Sequence, residues 1–248
     1  MNYMVWDVGI EKWRGKQMHS HNYRIPEPFR DQVVIVIGMG PSSLDISREI
    51  SKVAKEVHIA SRAKDTIVGK LDCHDNIWQH KMIKAVHEDC EVEFDDGSSL
   101  PAEVILHCTG FKYHYPFLQI NEFISNEDNR VGPLYKHVFP PPVAPWLSFV
   151  GIPNKVIFSL MFELQSRWIA RVLSGKVTLP SEEDMMASIE TYYQELEHVG
   201  RPKHHTHNLH PNEIEYLNWL ASEVDLPPIE EWRLQMYRAA IENLKSHK

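Results

Sequence analysis

Five consecutive β-branched residues, Val33-Val34-Ile35-Val36-Ile37, run straight into Gly38-Met39-Gly40-Pro41-Ser42-Ser43. A run apolar at every position suits a parallel strand covered on both faces. Gly38 then permits a tight turn, and Gly40, lacking a Cβ, lets backbone approach a bound group closely. Ser42 and Ser43 are candidate caps for a helix predicted over Leu44 to Lys52. Val57-His58-Ile59-Ala60 supplies a second strand, so residues 33–60 have the length of a βαβ unit. A glycine turn between strand and helix is the setting in which a dinucleotide pyrophosphate rests on a helix N-terminus. The plainer alternative is a tight βα turn with no ligand. Ser43 stands where the third glycine of that pattern falls, and is small enough for close helix–strand packing.

The end of the second strand bears on the cofactor. NAD proteins place a carboxylate about 20 residues after the glycines, for the ribose 2′-hydroxyl. Here the chain reads Ala60-Ser61-Arg62. An arginine beside a hydroxyl suits a 2′-phosphate, which favours NADP(H) over NAD. The alternative is a solvated loop arginine.

Elsewhere, Asp96-Gly97 predicts a hairpin after Val92-Glu93-Phe94. Val104-Ile105-Leu106 and Leu147-Ser148-Phe149-Val150 read as further strands. Phe139–Pro145 carries four prolines and bars a regular helix. Ile157, Met161, Leu164, Trp168 and Val172 recur at helical spacing, predicting a helix over 157–173. Helix starts are signalled at Pro180-Ser181, Pro211-Asn212 and Pro227-Pro228. Trp168, Trp219 and Trp232 are expected to pack inside. The expected organisation is a Rossmann-like α/β domain over residues 1–112 and a mostly helical second part over 113–248.

Composition narrows the function classes. The chain has 248 residues with 26 Lys+Arg against 34 Asp+Glu, a net charge of −8. An acidic chain without a long basic run argues against nucleic acid as main partner. No apolar run reaches the roughly 18–20 residues of a membrane span. Three cysteines, odd in number and without CxxC spacing, point to a reducing compartment, so a cytoplasmic location is expected. His204, His205, His207 and His210 cluster, but no cysteine or close carboxylate completes a metal set, and a solvated loop is expected there. No G-x-S-x-G elbow is present, which argues against a hydrolase.

Trp13-Arg14-Gly15-Lys16-Gln17-Met18-His19-Ser20-His21-Asn22-Tyr23 resembles the FxGxxxHxxxY motif of flavin-containing monooxygenases, with Trp13 in place of Phe. Gly38 to Asp45 resembles that family's NADPH turn, and Cys108-Thr109-Gly110-Phe111-Lys112-Tyr113-His114 its ATGY segment. The wording of Met18–Arg24 and of Phe149–Leu173 is most similar to the plant glucosinolate S-oxygenase-like group. The resemblance covers most of residues 9–220.

The resemblance implies FAD and NADPH as cofactors, flavin reduction by hydride transfer, and a flavin hydroperoxide formed with O₂. Oxygen then passes to a small sulfide or amine. It implies Gly38, Met39, Gly40, Pro41, Ser42 and Ser43 at the pyrophosphate, and Ser61 and Arg62 at the 2′-phosphate. Thr109 and Gly110 would stand where the two nucleotide domains join. Gln165 would lie on the helix beneath the flavin. No side chain is assigned as general acid or base, and no metal is expected. The family's first GxGxxG, which cradles FAD, has no counterpart before Gly38, and Val8-Gly9-Ile10 is not one. The chain thus reads as the family's second half, an NADP-binding Rossmann-like domain over 1–112 and the C-terminal portion of the FAD-binding domain with a helical tail over 113–248, with a homo-oligomer or a covering partner expected. Two other readings stay open: an NADP-binding module without flavin, and a self-sufficient NADP dehydrogenase.

Overall fold

The computed structural model describes residues 11, 13–63, 66–71, 74–118 and 124–246. Two compact units meet in sequence between Phe111 and Lys112, the second running Lys112–Asn243.

The first unit is built on a six-stranded sheet of order β1-β9-β2-β3-β5-β4. Its strands are β1 (Lys16–His19), β2 (Val33–Ile37), β3 (Glu56–Ser61), β4 (Gly69–Lys70), β5 (Ile77–Lys81) and β9 (Val104–His107). All neighbours pair in parallel except β4, which runs antiparallel to β5. The all-apolar β2 lies between β9 and β3, and every one of its residues is buried. One face carries helix α1 (Pro41–Ile50), whose Leu44 and Ile50 pack on Val34, Val36, Val57, Ile59 and Leu106. The other face carries β6 (Ile83–Val86), β7 (Glu91–Phe94) and β8 (Ser99–Pro101), an antiparallel sheet. Its Val86, Val92 and Phe94 cover Ile35, Ile37 and Ala60. Truncating a side chain as enclosed as Ile50 costs about 2–5 kcal/mol. The β7–β8 turn is the expected hairpin, with Gly97 at φ 87°.

The second unit is helical: α2 (Phe158–Leu173), α3 (Glu182–His198), α4 (Glu213–Glu223) and most of α5 (Glu231–Ser246). Met161, Leu164, Trp168 and Val172 form the buried stripe that the spacing predicted for α2. They pack with Phe139, Leu217 and Leu220.

Several expectations are corrected. Helix α1 starts at Pro41, so the two serines lie within its first turn instead of capping it. Proline at N1 explains the shift, because its fixed φ and missing N–H suit that position. Leu147–Val150 forms no strand: Phe149 N donates to Val138 O (2.8 Å), while the apolar side chains of Leu147 and Phe149 join a small loop cluster. Trp168 is buried, but Trp232 is 53% exposed. Val8-Gly9-Ile10 and Cys73 fall outside the described residues.

Candidate functional site

The glycine turn is fixed from three sides. Gly38 N donates to Ala60 O at the end of β3 (2.9 Å), and Cys108 N donates to Ile37 O just past β9 (2.8 Å). Gly38 has φ +122°, and a Cβ there would fall 2.5 Å from the Cys108 carbonyl oxygen. Both facts require glycine. The Ser43 hydroxyl donates to Gly38 O (2.7 Å) from a fully buried position. Its side chain therefore closes the turn from behind, and its small size allows the close helix–strand packing expected at this position.

Gly40 is different. It is the N-cap of α1, and a Cβ built there would meet nothing within 4 Å. No side chain caps this end of the ten-residue helix, and its first turn holds no acid. Leu44 N reaches Gly40 O (3.2 Å). The earlier N–H groups of a helix have no intrahelical acceptor, and they carry the positive end of its dipole. Pro41 and Ser42 are exposed beside them. An open Cβ direction over an uncapped helix start fits a pyrophosphate.

Met39 is half-buried, and Gln79 Nε2 on β5 donates to its sulfur (3.5 Å). Ser61 ends β3 with its hydroxyl accepting from Ala63 N (3.1 Å). Arg62 follows it at the exposed edge. Thr109 and Gly110 follow β9, and Gly110 has φ +79°. His19 Nε2 lies 3.2 Å from Gly110 O, and its Nδ1 accepts from His21 N (3.1 Å). With both ring nitrogens engaged, His19 ties β1 to the segment after β9. In the same motif, a Cβ on Gly15 would fall 2.3 Å from the Trp13 ring, so an indole lies flat where the glycine leaves room.

Gln79 was missed from sequence. It is a polar residue in a short strand of mixed character, and only its contact with Met39 marks it.

Among the described residues, no nucleophile or acid–base pair emerges beside the turn. Burial pushes the Cys108 thiol up to about 12, so it stays protonated. Burial also lowers His107, with His19 adding to it. His58 and His80 lie 3.0 Å apart, ring nitrogen to ring nitrogen. Burial, reinforced by His80, brings His58 down to about 4, so it is neutral at pH 7.

Gln165, on α2, is fully buried. Its Oε1 accepts from Gly151 N (2.9 Å) and its Nε2 donates to Tyr216 Oη (2.8 Å). The Tyr216 hydroxyl donates in turn to Lys136 O (2.8 Å). The amide expected near a cofactor thus holds a turn inside the helical unit. Of the histidine cluster, His207 is buried: Val131 N donates to its Nε2 (3.0 Å), and its Nδ1 lies 3.0 Å from His137 Nδ1. His204, His205 and His210 are exposed, and among the described residues no group of His, Cys, Asp and Glu forms a metal set.

The β2–α1 turn is, among the described residues, the one passage from a parallel strand through glycines into a helix. It fits one dinucleotide. The described residues offer no second turn of this kind for FAD.

A family model described as Flavin-binding monooxygenase-like matches residues 6–84 and 64–237. The Arabidopsis thaliana protein Flavin-containing monooxygenase FMO GS-OX-like 3 is 56% identical over 230 residues, 92% of this chain and 51% of that protein. Flavin-containing monooxygenase FMO GS-OX5, also from Arabidopsis thaliana, is 54% identical over 228 residues, 92% of this chain and 50% of that protein. The structure of S-allyl-L-cysteine S-oxygenase from Allium sativum matches with a TM-score of 0.94 at 52% identity. That match covers 99% of this chain and 56% of the other. Tmm from Pelagibacter sp. strain HTCC7211, at 23% identity and a TM-score of 0.74, shares the fold. The chain spans about half the length of the curated relatives it matches.

Proposed function

The chain belongs to the flavin-binding monooxygenase-like family, and we propose that it provides the NADPH-binding part of a monooxygenase that uses NADPH and FAD. The observation that carries this reading is the open side of Gly40 above the uncapped start of α1. Gly38 sets the turn. Gly40, Pro41 and Ser42 present the helix start to the pyrophosphate, with Met39 held aside by Gln79. Ser43 contributes its backbone N–H while its hydroxyl locks Gly38. Ser61 and Arg62 meet the 2′-phosphate. Thr109 and Gly110, tied to β1 by His19, border the same edge of the sheet.

When bound, NADPH supplies a hydride, and a flavin uses it to activate O₂. The residues of this chain bind and orient; none is assigned a proton transfer. The acceptor class is a small molecule with a soft nucleophilic atom, a sulfide before an amine, because a similar structure is that of an S-oxygenase. No helix among the described residues is long and apolar enough to cross a membrane. A cytoplasmic location completes the reading, in keeping with Cys90 and Cys108 as free thiols. So does self-association or a covering partner, which light scattering on the purified chain decides.

The test is direct titration of the purified chain with NADPH and NADH. NADPH binds more tightly, and Arg62→Ala removes most of the difference. Equal binding of the two cofactors sinks the reading. A second reading, an NADP-binding module without flavin, is favoured by the single glycine turn among the described residues. A colourless preparation that takes up no added FAD supports that module, and retained yellow flavin refutes it.

A further inference from the structure

Strand β5 ends at Lys81, and parallel pairing sets Lys81 beside Ser61 at the end of β3. Neighbouring strands lie about 5 Å apart, and residues in register point to the same face. That face is the one covered by α1. Val57, Ile59 and Ile77 pack there with Leu44 and Ile50, and Gln79 reaches Met39 of the glycine turn. Residues 57, 59 and 61 and residues 77, 79 and 81 alternate onto it together. Ser61 and Lys81 are therefore the last residues of two adjacent strands, on the side where the glycine turn opens. Ligands of such sheets lie beyond the carboxyl ends of the strands.

The backbone at Lys81 is anchored. Lys81 N donates to Asp96 Oδ2 (2.9 Å), in the turn between β7 and β8. Asp96 is held in turn by Ser98 N (3.0 Å) and lies 3.3 Å from His80 Nδ1, with its side chain only 7% exposed. The carboxylate thus spends its acceptors on backbone, hydroxyl and imidazole. The Lys81 side chain is exposed, and its ammonium makes no ion pair among the described residues. A 2′-phosphate carries close to two negative charges and three acceptor oxygens, more than one guanidinium neutralises.

We propose that Lys81 is a second cation for the 2′-phosphate and so a determinant of the choice of NADPH over NADH. The inference rests on the reading that the glycine turn binds NADP(H). Arg62 and Lys81 then grip the phosphate from two neighbouring strand ends, and Asp96 is a positioning residue that fixes where β5 leaves the sheet.

The experiment titrates the full chain with adenosine 2′,5′-bisphosphate and with AMP, which differ by the 2′-phosphate alone. Lys81→Met is expected to weaken the bisphosphate roughly 5- to 10-fold while leaving AMP unchanged. Lys81→Arg retains most of the affinity. Lys84→Met, at an exposed lysine paired with Glu93, serves as the control for net charge and changes neither. If Lys81→Met weakens both ligands equally, or neither, while Arg62→Met still weakens the bisphosphate, the role of Lys81 is overturned and the cofactor reading survives. If the unmodified chain does not distinguish the two ligands, the cofactor reading itself fails.

Discussion

Two helices in this chain begin in opposite ways. Helix α3 is finished by its own sequence. The Ser181 hydroxyl accepts from Asp184 N (3.1 Å), and Glu182, Glu183 and Asp184 put three acids in the first turn. Helix α1 begins at Gly40 and Pro41 with no side-chain cap and no acid. The first arrangement satisfies one of the orphan N–H groups and complements the dipole internally. The second does neither. The glycine turn also differs from the buried polar groups of the helical unit. In the helical unit, Gln165, Tyr216, His137 and His207 hydrogen-bond among themselves and to backbone. In the sheet unit, the polar character of the glycine turn is directed outward.

Four measurements test this contrast. The largest effect is expected at Gly38, where alanine meets both a positive φ and the Cys108 carbonyl. Gly38→Ala should lose about 3 kcal/mol or more in urea unfolding of the sheet unit, by backbone strain and overlap. A near-native midpoint would show that the turn can shift and is not rigid.

The second point concerns the inward-facing polar groups. Burial brings His207 down to about 4 from an ordinary value of 6.5. An unfolded chain takes up that proton as pH falls through 6.5, whereas the folded chain holds the ring neutral until about pH 4. Stability is therefore full above pH 6.5 and declines between 6.5 and 4, by roughly 3 kcal/mol from this residue. Urea midpoints measured across that range test it, and a flat profile from pH 7 to 4.5 contradicts it.

Third, Gly40→Ala should fold with less than about 1 kcal/mol of change, because its Cβ meets nothing, yet bind NADPH at least about tenfold more weakly. Unaltered binding would mean that the open side of α1 is not where the cofactor lies. Last, Ser181→Ala should cost about 1 kcal/mol and leave NADPH binding untouched. A loss of binding there would erase the contrast between the two helix starts.

Much of this was legible in the residues. The β2 run, the glycine turn, β3, the Asp96-Gly97 hairpin and the stripe of α2 each carry a strong local signal, and each formed. Strands β1, β5 and β6 did not announce themselves. Their residues, such as Ile77-Trp78-Gln79-His80-Lys81, mix apolar with ionisable groups, and they are strands because a neighbouring strand supplies the ladder: β9 for β1, β7 for β6, and β3 and β4 for β5. The reverse error occurred at Leu147–Val150, an apolar run that joins a cluster of loop side chains. Within the site, Gly38 and Gly40 look alike in sequence, and the positive φ of Gly38 and the neighbouring Cys108 carbonyl separate the one that must stay bare from the one whose Cβ direction is open. His207 reads as one of four loop histidines until Val131 and His137 are seen to close over it.

The place of β9 has a consequence for how the chain is made. Among the described residues, strand β1 pairs only with β9, from Lys16↔Val104 to His19↔His107. A ribosome adding about 5–20 residues per second delivers β9 several seconds after β1 has left it. Through that interval β1 has no ladder, and β2 pairs along one edge only, with β3. Messages that pause translation before β9 has emerged from the ribosome should therefore leave this nascent sheet open to chaperones and proteases, and those that pause after β9 has emerged should not.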